Sequence, residues 1–359
     1  KRAGTAHEKE NFFSGGSIGG FGRCASTSSA RGPGRACNRR FTAWRRSSRK
    51  ARCLNGCCFT FCHFRREMLC YRRDGQKGTE RMDMRVLSVI NLKGGVAKTI
   101  SSVATAHLLA EKGFRVLLVD NDKQGDASRG YRRRDEDREG IDKIMTARRP
   151  DMGSLIQHTD FPGLDIITAN MKLLKANLEV LLDQTRQQQT RLKKALEQVR
   201  DQYDFCVIDN APDINISTIN ALVASNDVIV PLEVDDNTTE GLAELAEQIE
   251  FTREDLNPEL TFRGCFITKY DKRNEAHAQG AAQLEAAGKY PVFRTKIRTS
   301  RKVSESTFAR LPITVYSKRS NAAIDYAALV EEYLAALQAD GVSLLSVRPV
   351  TELDTQKEG

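Results

Sequence analysis

Val86-Leu87-Ser88-Val89-Ile90-Asn91-Leu92-Lys93-Gly94-Gly95-Val96-Ala97-Lys98-Thr99 is the stretch that decides the fold. A short apolar run leads into a glycine turn carrying two lysines, and a helix-like run, Ile100 to Ala110, follows. Strand, glycine turn and helix together make a phosphate-binding loop. The glycines let backbone N–H groups close on phosphate oxygens, and the helix aims its positive dipole end at the same charge. Lys98 is placed to reach the outer phosphates and the Thr99 hydroxyl to ligate Mg²⁺. The ordinary pattern G-x-x-x-x-G-K-[ST] is not met, because Leu92 and Ala97 stand at its glycine positions. Present instead is K-G-G-x-x-K-[ST], with a second lysine, Lys93, at the mouth of the loop.

Composition divides the chain of 359 residues. Its net charge of +9 comes from residues 1–83, which hold 19 Lys+Arg against 6 Asp+Glu; the remainder is mildly acidic. Any nucleic-acid binding by that remainder needs a local basic patch rather than a global field. Seven of the nine cysteines also lie in the leader. Cys206 and Cys265 sit in apolar runs and read as buried, unpaired strand cysteines, which suits a reducing cytosol. No apolar run approaches the ~18 residues of a membrane span.

Residues 1–83 show no sustained apolar period. They are expected to lie outside the functional fold, disordered or arising from an upstream start or translated non-coding sequence. A zinc site built from Cys53, Cys57, Cys58, Cys62, His63 and Cys70 is the sharper alternative, but the spacings are not those of paired C-x2-C knuckles. A basic DNA-touching arm is the other alternative.

From Met84 onward, short apolar runs alternate with longer helical periods. Strands are expected at 86–90, 115–120, 164–168, 205–209, 227–231, 261–268 and 290–293. Helices are expected at 191–200, 239–250 and about 321–337. This alternation implies an α/β fold, a mostly parallel twisted sheet with helices on both faces. Nucleotide then sits beyond the carboxyl ends of the strands. An ordered core is expected to about residue 340, with a polar tail after it.

A second segment, Val116 to Asp126, ends an apolar strand in Asp120 and Asp122. Alternate residues point to the same side, so both can face the phosphates. One can orient Mg²⁺ waters while the other positions the attacking water. In a third segment, Tyr203 to Pro212, Asp209 closes a buried strand. A carboxylate there is costly unless it meets a cation. Later, Arg294, Lys296, Arg298, Arg301, Lys302, Arg310, Lys318 and Arg319 fall within one stretch holding a single acid, Glu305. Such a patch suits a phosphate backbone.

The loop resembles the deviant Walker A motif of the ParA/MinD family, and the other segments resemble that family in the right order. Asp120 to Asp126 is similar to its D-x-D-P-Q-G-N segment, with Lys123 for the proline and Asp126 for the asparagine. Asp209-Asn210-Ala211-Pro212 is similar to its D-x-P-P. Ile297 to Glu305 is similar to I-P-R-N-V-R-L-S-E, with Arg298 for the proline, and Pro312 to Ser320 to P-I-x-x-Y-D-P-R-S. The resemblance covers Met84 to about Leu337. It implies a ParA/Soj-type ATPase using ATP and Mg²⁺, slow without its partner, with Lys93, Lys98 and Asp122 catalytic. It places nucleotide against Lys93, Gly94, Gly95, Val96, Ala97, Lys98 and Thr99, and adenine near Lys269 and Asp271. Thr99, Asp120 and Asp209 serve the metal. Arg298, Arg301, Lys302, Lys318 and Arg319 are its DNA-binding candidates.

By that resemblance two subunits sandwich two nucleotides, with Lys93 acting across the interface. The homodimer binds DNA without sequence preference, and a ParB-like partner stimulates hydrolysis. The protein is expected in the cytoplasm, on the nucleoid when ATP-bound, and not at a membrane. The alternatives are a MinD-like positioning ATPase on a membrane or protein array, a metal-cluster carrier, and an inactive module of the same fold.

Overall fold

The computed structural model describes residues 83–235 and 238–344. The expectations for the leader, its cysteine cluster and the residue 351–359 tail lie outside the described residues.

Seven strands form one sheet: β1 (Arg85–Val89), β2 (Val116–Asn121), β3 (Ile156–His158), β4 (Leu164–Ile167), β5 (Phe205–Asn210), β6 (Asp227–Glu233) and β7 (Thr261–Thr268). Their spatial order is β3-β4-β2-β5-β1-β6-β7. All neighbours pair parallel except β3 with β4. Among the described residues six helices precede β5, namely α1 (Lys98–Glu111), α2 (Asp126–Gly130), α3 (Ile141–Thr146), α4 (Met152–Leu155), α5 (Lys172–Leu182) and α6 (Arg191–Leu196). After it come α7 (Ile216–Ala224), α8 (Thr238–Asp255), α9 (Glu275–Ala287), α10 (Arg301–Ala309), α11 (Ile313–Tyr316) and α12 (Asn321–Ala339).

Side chains alternate across each strand, and the core divides accordingly. Leu87, Val89, Leu118 and Val207 join one apolar layer with α1 and α12. Val86, Leu117, Val119, Cys206 and Ile208 join the opposite layer with α3, α5, α6 and α7. Both faces are covered, so β2 and β5 read as continuous apolar runs up to their terminal polar pairs. Cys206 and Cys265 are buried and free, as expected.

The expected strand at 290–293 is corrected: among the described residues it supplies only a bridge, Val292 against Cys265. Pro291 has no N–H to extend a ladder. Sequence pattern also missed β3, which is three residues long, two of them polar. The helix expected through residue 200 ends earlier, with a 3-10 turn over Glu197–Val199. No helix among the described residues is long and apolar enough to cross a membrane.

Candidate nucleotide site

β1 delivers the chain to the glycine turn at the carboxyl edge of the sheet. Buried Asn91 anchors the turn: its Nδ2 donates to the Pro231 carbonyl at 2.7 Å and its Oδ1 accepts from Lys93 N at 2.9 Å. Thr268 Oγ1, at the end of β7, donates to the Val96 carbonyl at 3.2 Å. Gly95 has φ +78°, where a side chain would be strained, and a Cβ at Gly94 or Gly95 would meet only open space. The turn thus presents bare backbone to the outside. Ala97, left-handed at φ 67°, starts α1.

Lys98 is buried, and its Nζ donates to the Lys93 carbonyl at 2.7 Å. Burial lowers its pKa, opposed by the charges of Asp209, Asp122 and Asp213. An ammonium so placed gains from an incoming phosphate, which supplies the counter-charge that burial denies it. Lys93 is exposed and pairs with Asp235 of its own chain.

Register brings the acids together. Asp120 of β2 lies directly beside Asp209 of β5, and Asn121 beside Asn210. Asp120 is fully buried; its Oδ2 accepts from Ser128 N at 2.8 Å and Ser128 Oγ at 2.6 Å, and its Oδ1 from Asp122 N at 3.2 Å. Asp209 Oδ1 accepts from Ser102 Oγ at 2.9 Å, and the neighbouring Thr99 hydroxyl acts to lower the carboxyl's pKa. Asp209 Oδ2 is buried with no hydrogen-bond partner among the described residues. That orphaned oxygen beside Thr99 is the observation that tests for Mg²⁺, and the donor set fits: hard oxygens, one of them without a partner. Among the described residues no cluster of three or more His, Cys, Asp or Glu is able to hold a metal.

Burial pushes the Asp120 carboxyl up to about 6. Asp209 is pushed up to about 8, by burial first and then by the charge of Asp120. A carboxyl whose pKa folding raises favours the folded state when protonated. Its contribution is full below the ordinary aspartate value of 3.8 and is lost as pH rises through about 8. Without nucleotide, the urea midpoint is expected to fall between about pH 5 and pH 8, and Asp209→Asn to flatten that slope. A wild-type slope left intact by Asp209→Asn would assign the titration elsewhere.

Asp122 is half-buried at the start of the loop after β2, its Oδ1 accepting from Gln124 N at 2.9 Å. Gly125, at φ +66°, lets that loop pass the Ala169 carbonyl, which a Cβ would approach to 2.5 Å. Lys269 (φ 52°) pairs with Glu233 at 2.7 Å, and Asp271 accepts from Arg273 N at 3.0 Å. Both lie in the loop after β7, at the same sheet edge as the glycine turn.

Sequence reasoning missed the residues that hold these groups. Ser128 and Ser102 orient the two aspartates, and Asn121 Nδ2 donates to Asn210 Oδ1 at 2.9 Å and the Ser217 carbonyl at 3.0 Å. Asp213 acts on Lys98 through its charge. For Ser102 a signal existed: it lies one helical turn beyond Lys98, and its hydroxyl also donates to the Lys98 carbonyl.

The basic stretch is less one-signed than its sequence. Arg298 is clamped by Asp325, with Nη2 to Oδ1 at 2.7 Å and Nε to Oδ2 at 2.9 Å. Lys302 pairs with Glu305 at 2.6 Å and Lys318 with Glu111 at 2.8 Å. Arg301 and Arg319 are exposed, and no ion pair is recorded for either among the described residues.

Residues 84–262 match the family model of an AAA domain. The sporulation initiation inhibitor protein Soj of Bacillus subtilis is 34% identical over 251 residues, which is 70% of this chain and 98% of that protein. The chromosome partitioning protein ParA of Caulobacter vibrioides is 34% identical over 255 residues, 70% and 94% of the two chains. The chain belongs to the ParA/Soj family of partition ATPases. Among solved structures, cobyrinic acid a,c-diamide synthase from Mycobacterium smegmatis, with bound ADP and magnesium, aligns with a TM-score of 0.62 at 27% identity, over 74% of this chain and all of that one. The Pyrococcus furiosus cell division ATPase MinD aligns at 0.58 and 18% identity, over 70% and 99%, and bears on the fold alone. Within the ParA/Soj fold, the glycine turn, Asp122 and Asp209 fall where β1, β2 and β5 end at one edge of the sheet.

Proposed function

We propose that this partition ATPase runs on ATP and Mg²⁺ as a DNA-gripping dimer that hydrolysis resets. Lys93 carries the reading. It stands exposed at the mouth of a loop that already holds Lys98, and its tie is an ion pair between two partly exposed side chains. Such pairs are worth little, on the order of 0–1 kcal/mol, so the ammonium is free to exchange Asp235 for the phosphate of a second subunit.

Lys98 exchanges the Lys93 carbonyl for phosphate oxygens. Thr99 and Asp209 hold Mg²⁺ or its waters, which neutralise developing phosphate charge. Asp122 orients the attacking water, and Asp120, fixed by Ser128, holds the strand end from which it projects. ATP thereby acts as a ligand for the dimer alone, and turnover returns the chain to monomers. A ParB-like partner that completes or tightens this geometry accelerates the reset. The working place is the cytoplasm, with the ATP form on the nucleoid.

The DNA surface centres on Arg301 and Arg319. Lys302 and Lys318 lie beside them and release their surface acids to meet phosphate; Arg298, held by the largely buried Asp325, serves the fold first. The test is a gel shift of non-specific duplex with ATP, ADP or no nucleotide. Binding is expected with ATP alone, and Arg301→Glu/Arg319→Glu is expected to weaken it at least tenfold and to lower its salt slope. Equal binding in all three nucleotide states would reject the cycle. Lys93→Ala is expected to retain ATP and lose ATP-dependent dimers by light scattering; dimers of unchanged strength would reject the action across the interface.

A further inference from the structure

The loop after β2 departs from the family pattern at a place that faces the site. Asp122 to Gly125 forms a tight turn: Gly125 N donates to the Asp122 carbonyl at 2.8 Å, and Gln124 N to the Asp122 Oδ1 at 2.9 Å. Lys123 holds the second position of that turn. Proline suits this position because its ring presets φ, and D-x-D-P-Q-G-N has proline here. Lysine leaves the turn closed and adds an ammonium directly after Asp122.

That ammonium reaches the loop after β5. Lys123 Nζ lies 3.9 Å from Asp213 Oδ2. Asp213 is fixed from its own side: Oδ1 accepts from Asn215 Nδ2 at 3.0 Å, and its carbonyl accepts from Thr218 Oγ1 at 2.9 Å. The same carboxylate acts on Lys98 through its charge, as Asp122 does. Asp213 therefore answers to two ammoniums, buried Lys98 and partly exposed Lys123.

Charge decides what the second one is for. Asp120, Asp122, Asp209 and Asp213 gather at or just past the ends of β2 and β5, with Lys98 among them. ATP·Mg²⁺ is itself an anion, so seating it beside these acids calls for further positive charge. Lys123 is placed to give it. A pair at this separation between partly exposed groups is weak, so a phosphate oxygen replaces Asp213 at little cost.

We propose that Lys123 is a catalytic residue, leaving Asp213 to contact the γ-phosphate of the nucleotide bound in its own subunit. The inference rests on the reading of the glycine turn as the ATP site. It adds a charge within the subunit to the one Lys93 supplies across the interface. In the step itself a water oxygen bonds to the γ phosphorus, and the bond to the bridging oxygen breaks with its electron pair left on ADP. The water's protons end on the phosphate and in solvent. Lys123 gives up no proton; it neutralises charge on the γ oxygens, where a loose transition state carries it.

The experiment measures phosphate release by the full chain with ATP·Mg²⁺. Lys123→Ala is expected to lower kcat at least about tenfold, with KM changed by less than about threefold. Lys123→Pro keeps the turn without the charge and should lose as much; Lys123→Arg keeps the charge and should recover most of the rate. A second readout is ADP with aluminium fluoride, which mimics the phosphoryl group in transfer. Lys123→Ala should bind it at least about tenfold more weakly than the unaltered chain does, while ATP affinity holds. The same dependence should persist in a Lys93→Ala background, because the contact is made within one subunit. Full kcat in Lys123→Ala or Lys123→Pro would overturn the proposal. So would an arginine variant no faster than alanine, or a dependence on Lys123 seen only while Lys93 is present. The two readings fail separately. A Lys98→Ala chain that still binds ATP rejects the site itself, whereas loss of ATP in Lys98→Ala beside full turnover in Lys123→Ala rejects Lys123 alone.

Discussion

Lys98→Ala is expected to abolish measurable ATP binding. The side chain is buried in the glycine turn with the charges of Asp209, Asp122 and Asp213 around it. Removing one member of a buried charge pair costs roughly 2–5 kcal/mol. That amounts to about 30-fold to several-thousand-fold in affinity. Alanine also leaves the nearby carboxylates to face the triphosphate without an ammonium between them, which places the loss toward the upper end. Titration calorimetry with ATP·Mg²⁺ measures it. The fold should survive, because the Lys98 hydrogen bond goes only to a carbonyl of the same loop. A correctly folded variant that keeps tight ATP binding would reject the loop as the phosphate site.

Asp122→Ala is expected to separate binding from turnover. The side chain lies in the loop after β2, half-buried, one oxygen engaged by Gln124 N. Its proposed work is to place a water, and loss of such a positioning or general-base group lowers the rate by about 10²-fold or more. The proposed ground-state contacts to ATP run through Lys98, Thr99 and the turn's backbone, so affinity should change by less than about threefold. The measured signature is a fall in phosphate release with an ATP-bound dimer that persists on DNA. Ordinary turnover would remove Asp122 from the reaction. A matching fall in affinity would make it a binding residue instead.

The reach of the sequence differs from one element to the next, for physical reasons. The glycine turn was legible because its chemistry is local: strand, turn, lysines and helix lie within 27 consecutive residues, 85–111. The parallel sheet was legible because β2, β5 and β6 are buried on both faces and keep their apolar runs unbroken until the last residues. Short polar elements such as β3, α2 and α4 lack enough residues to show a period. The 290–293 segment had the apolar residues of a strand but also Pro291, and the missing donor decided against it.

Side-chain partners from distant elements were the least legible part. Asp120 and Asp209 were both singled out, but nothing in the sequence set them side by side; the parallel register of β2 and β5 does that. The basic stretch looked one-signed because its neutralising acids arrive from elsewhere, Asp325 from α12 and Glu111 from α1. Charge counted along a chain misleads wherever folding interleaves distant segments.

Beyond the two acids, β2 and β5 are bolted together by a pair of amides, Asn121 to Asn210, and Asn121 also reaches the Ser217 carbonyl at the head of α7. Neither amide carries a charge, so ionic strength that strips phosphate backbone from arginines leaves this bolt untouched. The loop that holds Asp122 and the helix that follows Asp209 therefore travel as one part even in concentrated salt. A displacement at one of them is passed to the other through these amide hydrogen bonds.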